Sequence, residues 1–166
     1  MTEHHKIAIV GTGFSGLGMA IRLKQEGEQD FVLLERAGDI GGTWRDNTYP
    51  GCRCDVPSHL YSFSFAPNPN WSSTFSPQEE ILDYLKDCAA RFGVLPHVWL
   101  DTELEGAEWD DDEGLWRIET STGAMTANFL IAGQGRCPSR RCPRCRDSRP
   151  SRARPSTRPS GTTTTT

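Results

Sequence analysis

The 166-residue chain is 36% hydrophobic and 24% charged with a formal net charge of −4, but its composition breaks after Gly135. The first 135 residues hold 9 Lys and Arg against 21 Asp and Glu, while residues 136–166 hold 9 Arg, 5 Pro, 5 Ser, 6 Thr and 3 Cys and no Leu, Ile, Val, Met, Phe, Tyr or Trp. The acidic part has one domain's worth of length and argues against nucleic acid as a partner, although the basic tail taken alone would suggest one. The tail has nothing to bury against its conformational entropy, so residues 1–135 are expected to fold as one domain and 136–166 to be disordered.

In chain order, the lead MTEHHKIAIVGTG carries a charged start and only four consecutive apolar residues. That is too short for a signal-peptide core or a membrane span, so a cytoplasmic location without a membrane partner is expected. Lys6 to Val10 is a short apolar run stopped by glycine, as a buried parallel strand would be. A helical stripe follows at Leu17, Ala20 and Ile21, closed by Gly27 as a C-cap. Asp30 to Glu35 is a second buried strand, which completes a βαβ unit. Arg36 to Pro77 is rich in Gly, Pro, Asn, Ser and aromatic residues, a composition expected of an irregular, ligand-contacting segment.

SPQEEILDYLKDCAARFG then predicts a helix, with Ser76 as cap, Pro77 in the first turn and Glu79 completing a capping box. Ile81, Leu82, Leu85, Cys88, Ala89 and Phe92 supply its buried face and Gly93 ends it. The segment from His97 onward alternates and turns like antiparallel strands, with Asp110 to Gly114 as a solvated hairpin tip rather than a calcium loop. NFLIAG forms a last apolar strand that stops at Gly133 to Gly135. The fold class is therefore α/β: a Rossmann-like dinucleotide-binding domain with a βαβ start, a parallel sheet and an antiparallel meander.

Gly11, Gly13 and Gly16 form G-x-G-x-x-G between the first strand and the helix. The first glycine permits the tight turn, the second the approach of a pyrophosphate, and the third close packing of helix on strand; the helix N-terminus faces the negative charge. Glu35 follows 19 residues after Gly16, where a carboxylate accepts from ribose hydroxyls and disfavours a 2′-phosphate. The bland alternatives are a glycine turn without a ligand and a surface carboxylate. The motif does not choose between NAD and FAD.

GGTWRDNTYPGCRCD, Gly41 to Asp55, resembles the signature G-x-W-x-x-x-x-Y-P-G-x-x-x-D of Baeyer–Villiger monooxygenases and their flavin-containing monooxygenase relatives. Gly42, Trp44, Tyr49, Pro50, Gly51 and Asp55 stand at its fixed positions. The resemblance extends over roughly Lys6 to Gly135 and implies an FAD/NADPH-dependent monooxygenase. In such enzymes NADPH reduces FAD, and oxygen then forms a C4a-peroxyflavin that attacks the carbonyl of a small-molecule ketone or oxidises another organic substrate at a heteroatom. The resemblance places the FAD pyrophosphate at Gly11, Gly13, Phe14, Ser15 and Gly16, the adenosine ribose at Glu35, and the adenine beside Arg36 and the Leu104 backbone. It places Gly42, Thr43 and Trp44 along the ribityl chain and flavin, Asp55 and Tyr61 beside the isoalloxazine, and Arg53, Cys54 and Asp55 along the nicotinamide. Asp55 would orient the arginine that balances the peroxide charge; on physical grounds alone a loop-capping role fits it equally.

The sequence holds no second G-x-G-x-x-G for NADPH. A non-catalytic FAD-binding module thus stands beside the enzyme as an alternative, and this chain alone is expected to bind FAD weakly at best and not to turn over. Cys52 and Cys54 lack further ligands for a metal, Cys142 and Cys145 lack a second ligand pair, and no metal site is expected. His4, His5, His59 and His97 are expected to be structural or exposed. Read one base earlier, GTTTTT at 161–166 permits Trp followed by Asp, His, Asn or Tyr codons, and Ser151, Ala153 and Thr157 permit Phe, Gly and His at the spacing of the family's second signature. The tail is therefore expected to be out of frame from near Arg136.

Overall fold

A computed structural model describes residues 3–135, so the expectations for 136–166, Cys142 and Cys145 among them, lie outside the described residues. Strand β1 (Glu3–Val10) leads into helix α1 (Phe14–Gln25), strand β2 (Phe31–Leu34), a one-turn helix α2 (Thr43–Asp46) and helix α3 (Gln78–Arg91). Strands β3 (Val98–Trp99), β4 (Leu104–Asp110), β5 (Leu115–Thr120) and β6 (Gly123–Ala132) follow. All six strands form one mixed sheet in the order β3-β2-β1-β6-β5-β4.

The parallel half has β1 flanked by β2, with Ile7 opposite Phe31, and by β6, with Ile7 opposite Phe129. Successive strand residues face opposite sides of a sheet, and both sides are covered here. Ile7 and Ile9 of β1, with Phe31 and Leu33 of β2, pack under Leu17, Ala20 and Ile21 of α1 and Ile81, Leu85 and Cys88 of α3. Ala8, Val10, Val32 and Leu34 face the other way, against Leu104, Ala107, Ile118 and Met125. Residues of β2 and β4, four places apart in the sheet order, thus belong to one apolar cluster on that face.

The helix ends follow the glycines. Gly27, at φ +88°, closes α1 with Gly27 N–H on Lys24 O at 3.1 Å and Glu28 N–H on Leu23 O at 2.9 Å. Gly93, at φ +65°, closes α3 with the same pair of bonds, Gly93 N–H to Ala90 O and Val94 N–H to Ala89 O.

Several expectations are corrected. The capping box at Ser76 and Glu79 does not form: Pro77 is the N-cap of α3 without a side-chain cap bond. Ser76 is buried with its hydroxyl 2.7 Å from Ser58 Oγ, so it is spent on the preceding loop. Residues 36–77 are not wholly irregular, since they contain α2 and a 3₁₀ turn at Ser58–Leu60. β3 pairs parallel with β2 instead of joining the meander. NFLIAG is not a separate strand but the end of the ten-residue β6. Met125 to Ala127 of β6 pair with both β1 and β5, whereas Phe129 to Ala132 pair with β1 alone. One strand thus carries two patterns of side chains.

Candidate active site: a dinucleotide cleft

A cleft of about 560 Å³ opens at the carboxyl ends of β1, β2 and β6, where Val10, Leu34 and Gly133 lead out of the sheet. Parallel strands leave their ligand crevice at this end.

Three glycines make its floor. Gly11 has φ +92°, and a Cβ there would stand 3.0 Å from Gln134 Cα and 3.1 Å from Gly133 O. A Cβ at Gly16 would fall 1.9 Å from Gly11 O, so α1 can lie on the turn only as glycine. Gly133 completes the arrangement, 3.1 Å from Gly16 Cα by the same measure. Gly13 differs, because its Cβ would meet only Gly42 Cα, at 3.8 Å. It caps α1 without a side-chain bond, and the first turn of α1 holds no acidic residue. The positive end of that helix is thus presented to the cleft with no side chain competing for it.

Glu35 is buried at 4% exposure, and its carboxylate accepts from Thr12 N–H at 3.1 Å, Thr12 Oγ1 at 2.5 Å and Ala37 N–H at 3.1 Å. Arg45 of α2 completes the shell with Nη1 at 2.9 Å. Burial works against the Arg45 charge, but Asp46 and Glu35 outweigh it and hold the guanidinium above its ordinary range. Arg45 Nη1 also donates to Asp39 O at 2.6 Å, which ties α2 to the strand exit.

The other end of the cleft is aromatic. Trp44 is buried and donates Nε1–H to Tyr61 Oη at 3.1 Å, with the two rings edge-on at 5.6 Å. Phe14 stands edge-on to Tyr61 at 4.9 Å. Burial first, then the neighbouring Cys54 and Asp55, push the Tyr61 phenol above its usual value against the bond from Trp44. Gln78, buried at the start of α3, donates Nε2–H to Trp44 O, while its N–H donates to Cys52 O at 3.0 Å. One residue, through its side chain and its backbone N–H, thereby ties α3 to both the Trp44 helix and the Cys52 loop.

Of the residues named from the sequence, Gly11, Gly13, Phe14, Ser15, Glu35, Arg36, Gly42, Thr43, Trp44, Tyr61 and Leu104 line this cleft. Gly16 lies beneath it. Arg53, Cys54 and Asp55 do not line it: Arg53 is exposed and bonds Phe75 O at 3.1 Å, Cys54 is buried in the core, and Asp55 is exposed. Thr12, Arg45, Gln78 and Gly133 take part unannounced. Thr12 carried a signal, since it stands between Gly11 and Gly13, and Gly133 carried one as a glycine at the end of the last strand. Gln78 carried none, because Trp44 and Cys52 are distant in sequence, and nothing local marks Arg45 as the partner of Glu35.

Among the described residues no group of three His, Cys, Asp or Glu is placed to hold a metal ion, and no helix is long and apolar enough to cross a membrane. His97 stacks on Phe31 at 4.2 Å and sits 3.2 Å from Phe31 O, in a structural setting.

Strand ends, glycine turn and buried carboxylate define a Rossmann-like dinucleotide-binding domain, and the family described as NAD(P)-binding Rossmann-like domain matches residues 9–77. A Baeyer–Villiger monooxygenase of Streptomyces coelicolor is 56% identical over 133 residues, covering 80% of this chain and 26% of that protein. The FAD-binding monooxygenase ktnD of Aspergillus niger is 36% identical over 141 residues, covering 78% of this chain and 23% of the relative. An open crystal structure of cyclohexanone monooxygenase superposes with a TM-score of 0.77 at 35% identity, over 81% of this chain and 27% of that one. The relatives matched over about four-fifths of this chain are named Baeyer–Villiger and FAD-binding monooxygenases. The chain spans about a quarter of the length of the relatives it matches.

Proposed function

We propose that residues 1–135 form the FAD-binding unit of a flavin-dependent monooxygenase of the Baeyer–Villiger kind, acting with NADPH and O2 on a ketone or another small organic substrate. The observation that carries this is the cleft itself, which brings the free end of α1, the Glu35 carboxylate and the Trp44–Tyr61 pair into one line of residues. The residues present suit the cofactor. The bare backbones of Gly13 and Gly42, whose Cβ would fall 2.9 Å from Gly13 Cα, leave a cradle that any side chain would fill. First-turn N–H groups of α1 would hold the pyrophosphate, and Glu35 would accept from the adenosine ribose. Arg36 would flank the adenine. Thr43, Trp44 and Tyr61 would border the ribityl chain and flavin, and the aromatic wall would keep water from that end.

Bound FAD, reduced by NADPH, would supply the oxygen activation. Arg53, Cys54 and Asp55 would serve the nicotinamide side, with Asp55 orienting a cation supplied from beyond the described residues; its exposure leaves it available for such a partner. The single G-x-G-x-x-G is assigned to FAD, so the chain by itself is expected to bind flavin without oxidising NADPH.

Titration of the expressed chain with FAD, ADP and FMN tests the proposal. FAD and ADP are expected to bind, and FMN, which lacks the adenosine and pyrophosphate, to bind more weakly. Absence of binding by both FAD and ADP overturns the proposal.

A further inference from the structure

An ionised carboxylate offers about four acceptor positions. At Glu35 the protein surrounds both oxygens with three hydrogen bonds and an ion pair: Thr12 N–H and Thr12 Oγ1 on one oxygen, Ala37 N–H and the Arg45 guanidinium, Nη1 at 2.9 Å, on the other. A ribose diol approaching this carboxylate needs a position that one of those donors must give up. The two backbone N–H groups are fixed by the turn after β1 and by the exit of β2. Arg45 balances the buried charge, and withdrawing it would leave the carboxylate uncompensated. Thr12 Oγ1 is neutral, turns about a single bond, and belongs to a residue that lines the cleft.

We propose that the Thr12 hydroxyl is a place-holder for a ribose hydroxyl. It keeps Glu35 satisfied while the site is empty and yields its acceptor position when the adenosine half of a dinucleotide binds. Position 12 then sets how tightly the site holds its nucleotide. A side chain without a hydroxyl leaves that position on Glu35 open, so the ribose enters without displacing a charge-assisted bond. The inference rests on the flavin reading of the cleft but concerns a residue for which that reading has no role.

The test compares ADP with 2′,3′-dideoxy-ADP by calorimetric titration of the full chain, for wild type, Thr12→Ala, Thr12→Val and Thr12→Ser. Thr12→Val keeps the volume of the side chain, so a fold lost through a cavity in Thr12→Ala does not remove the hydroxyl-free case. Both hydroxyl-free variants are expected to bind ADP about three- to ten-fold more tightly than wild type, the scale of one displaced hydrogen bond. Dideoxy-ADP has no hydroxyl to compete, and its affinity is expected to be the same in all proteins. Thr12→Ser restores the hydroxyl and with it the wild-type ratio of the two affinities. Equal changes for both ligands, or ADP affinity unchanged or weakened in the hydroxyl-free variants, overturn the inference while leaving the flavin reading intact. A wild-type chain that binds neither ADP nor FAD overturns both.

Discussion

Gly16→Ala is the sharpest test of how the cleft is built. The added Cβ would sit 1.9 Å from Gly11 O, and real Cβ atoms essentially never approach a heavy atom within 3.0 Å, so helix and turn must part by about 1.1 Å. Neither side yields easily. The turn is held by Gly11 N–H on Leu34 O at 2.8 Å, and Gly133 packs against both glycines: a Cβ on it would come 3.1 Å from Gly16 Cα, and its carbonyl oxygen would lie 3.1 Å from a Cβ at Gly11. Overpacking a rigid site costs about 1–3 kcal/mol, and the obstacle here is main chain, so about 3 kcal/mol or more is expected. For a domain of this size that lowers the melting temperature by roughly 10 °C or more. Thermal melts followed by circular dichroism read it directly. Gly13→Ala is the paired control: its Cβ meets only Gly42 Cα at 3.8 Å, on ordinary extended backbone. It should melt like wild type yet, under the proposed placement of the pyrophosphate against Gly13, bind FAD less tightly. A Gly16→Ala protein melting within roughly 2 °C of wild type would refute this account of the third glycine.

Arg45→Ala removes the partner of a carboxylate only 5% exposed, and is expected to cost about 3–5 kcal/mol in urea denaturation. At Asp39, burial pushes the carboxyl upward, but Lys86, the Ile40 N–H and Arg45 prevail and hold it below its ordinary 3.8. A carboxylate depressed in the folded state contributes stability that is present above its unfolded value and is lost as pH falls through the folded one. Asp39→Asn should therefore differ from wild type in urea midpoint at neutral pH, with the difference shrinking below about pH 4.

The βαβ start was legible because local rules act alone there: an apolar run, a glycine turn and an amphipathic stripe each predict their own element. Both helix-closing glycines were legible for the same reason, since a positive φ is a property of one residue. Ser76 misled, because its capping pattern is local while its actual partner, Ser58, is 18 residues away. β6 misled in a similar way. Its two halves have different neighbours, and a one-dimensional pattern cannot say that a strand changes company partway along. Glu35 was readable from its spacing after the glycine motif and Trp44 from the Gly41–Asp55 segment, whereas Tyr61 lies in neither and was named only through the wider resemblance. The shell that holds them, Thr12, Arg45 and Gln78, was not, because it arises only when α2 and α3 meet the strand ends.

The pairing of β1 with β6 also bears on how the domain comes to exist. Its partners are separated by 122 positions along the chain, as at His4 and Thr126. A nascent polypeptide can assemble β1, α1 and β2 early, but Gly11 has no backing until Gly133 and Gln134 have left the ribosome. Such long-range closure is slow, and until it happens one edge of the apolar KIAIV strand stays unpaired. A nucleotide can stabilise only the closed state, so it can reward the completed domain but cannot help to begin it.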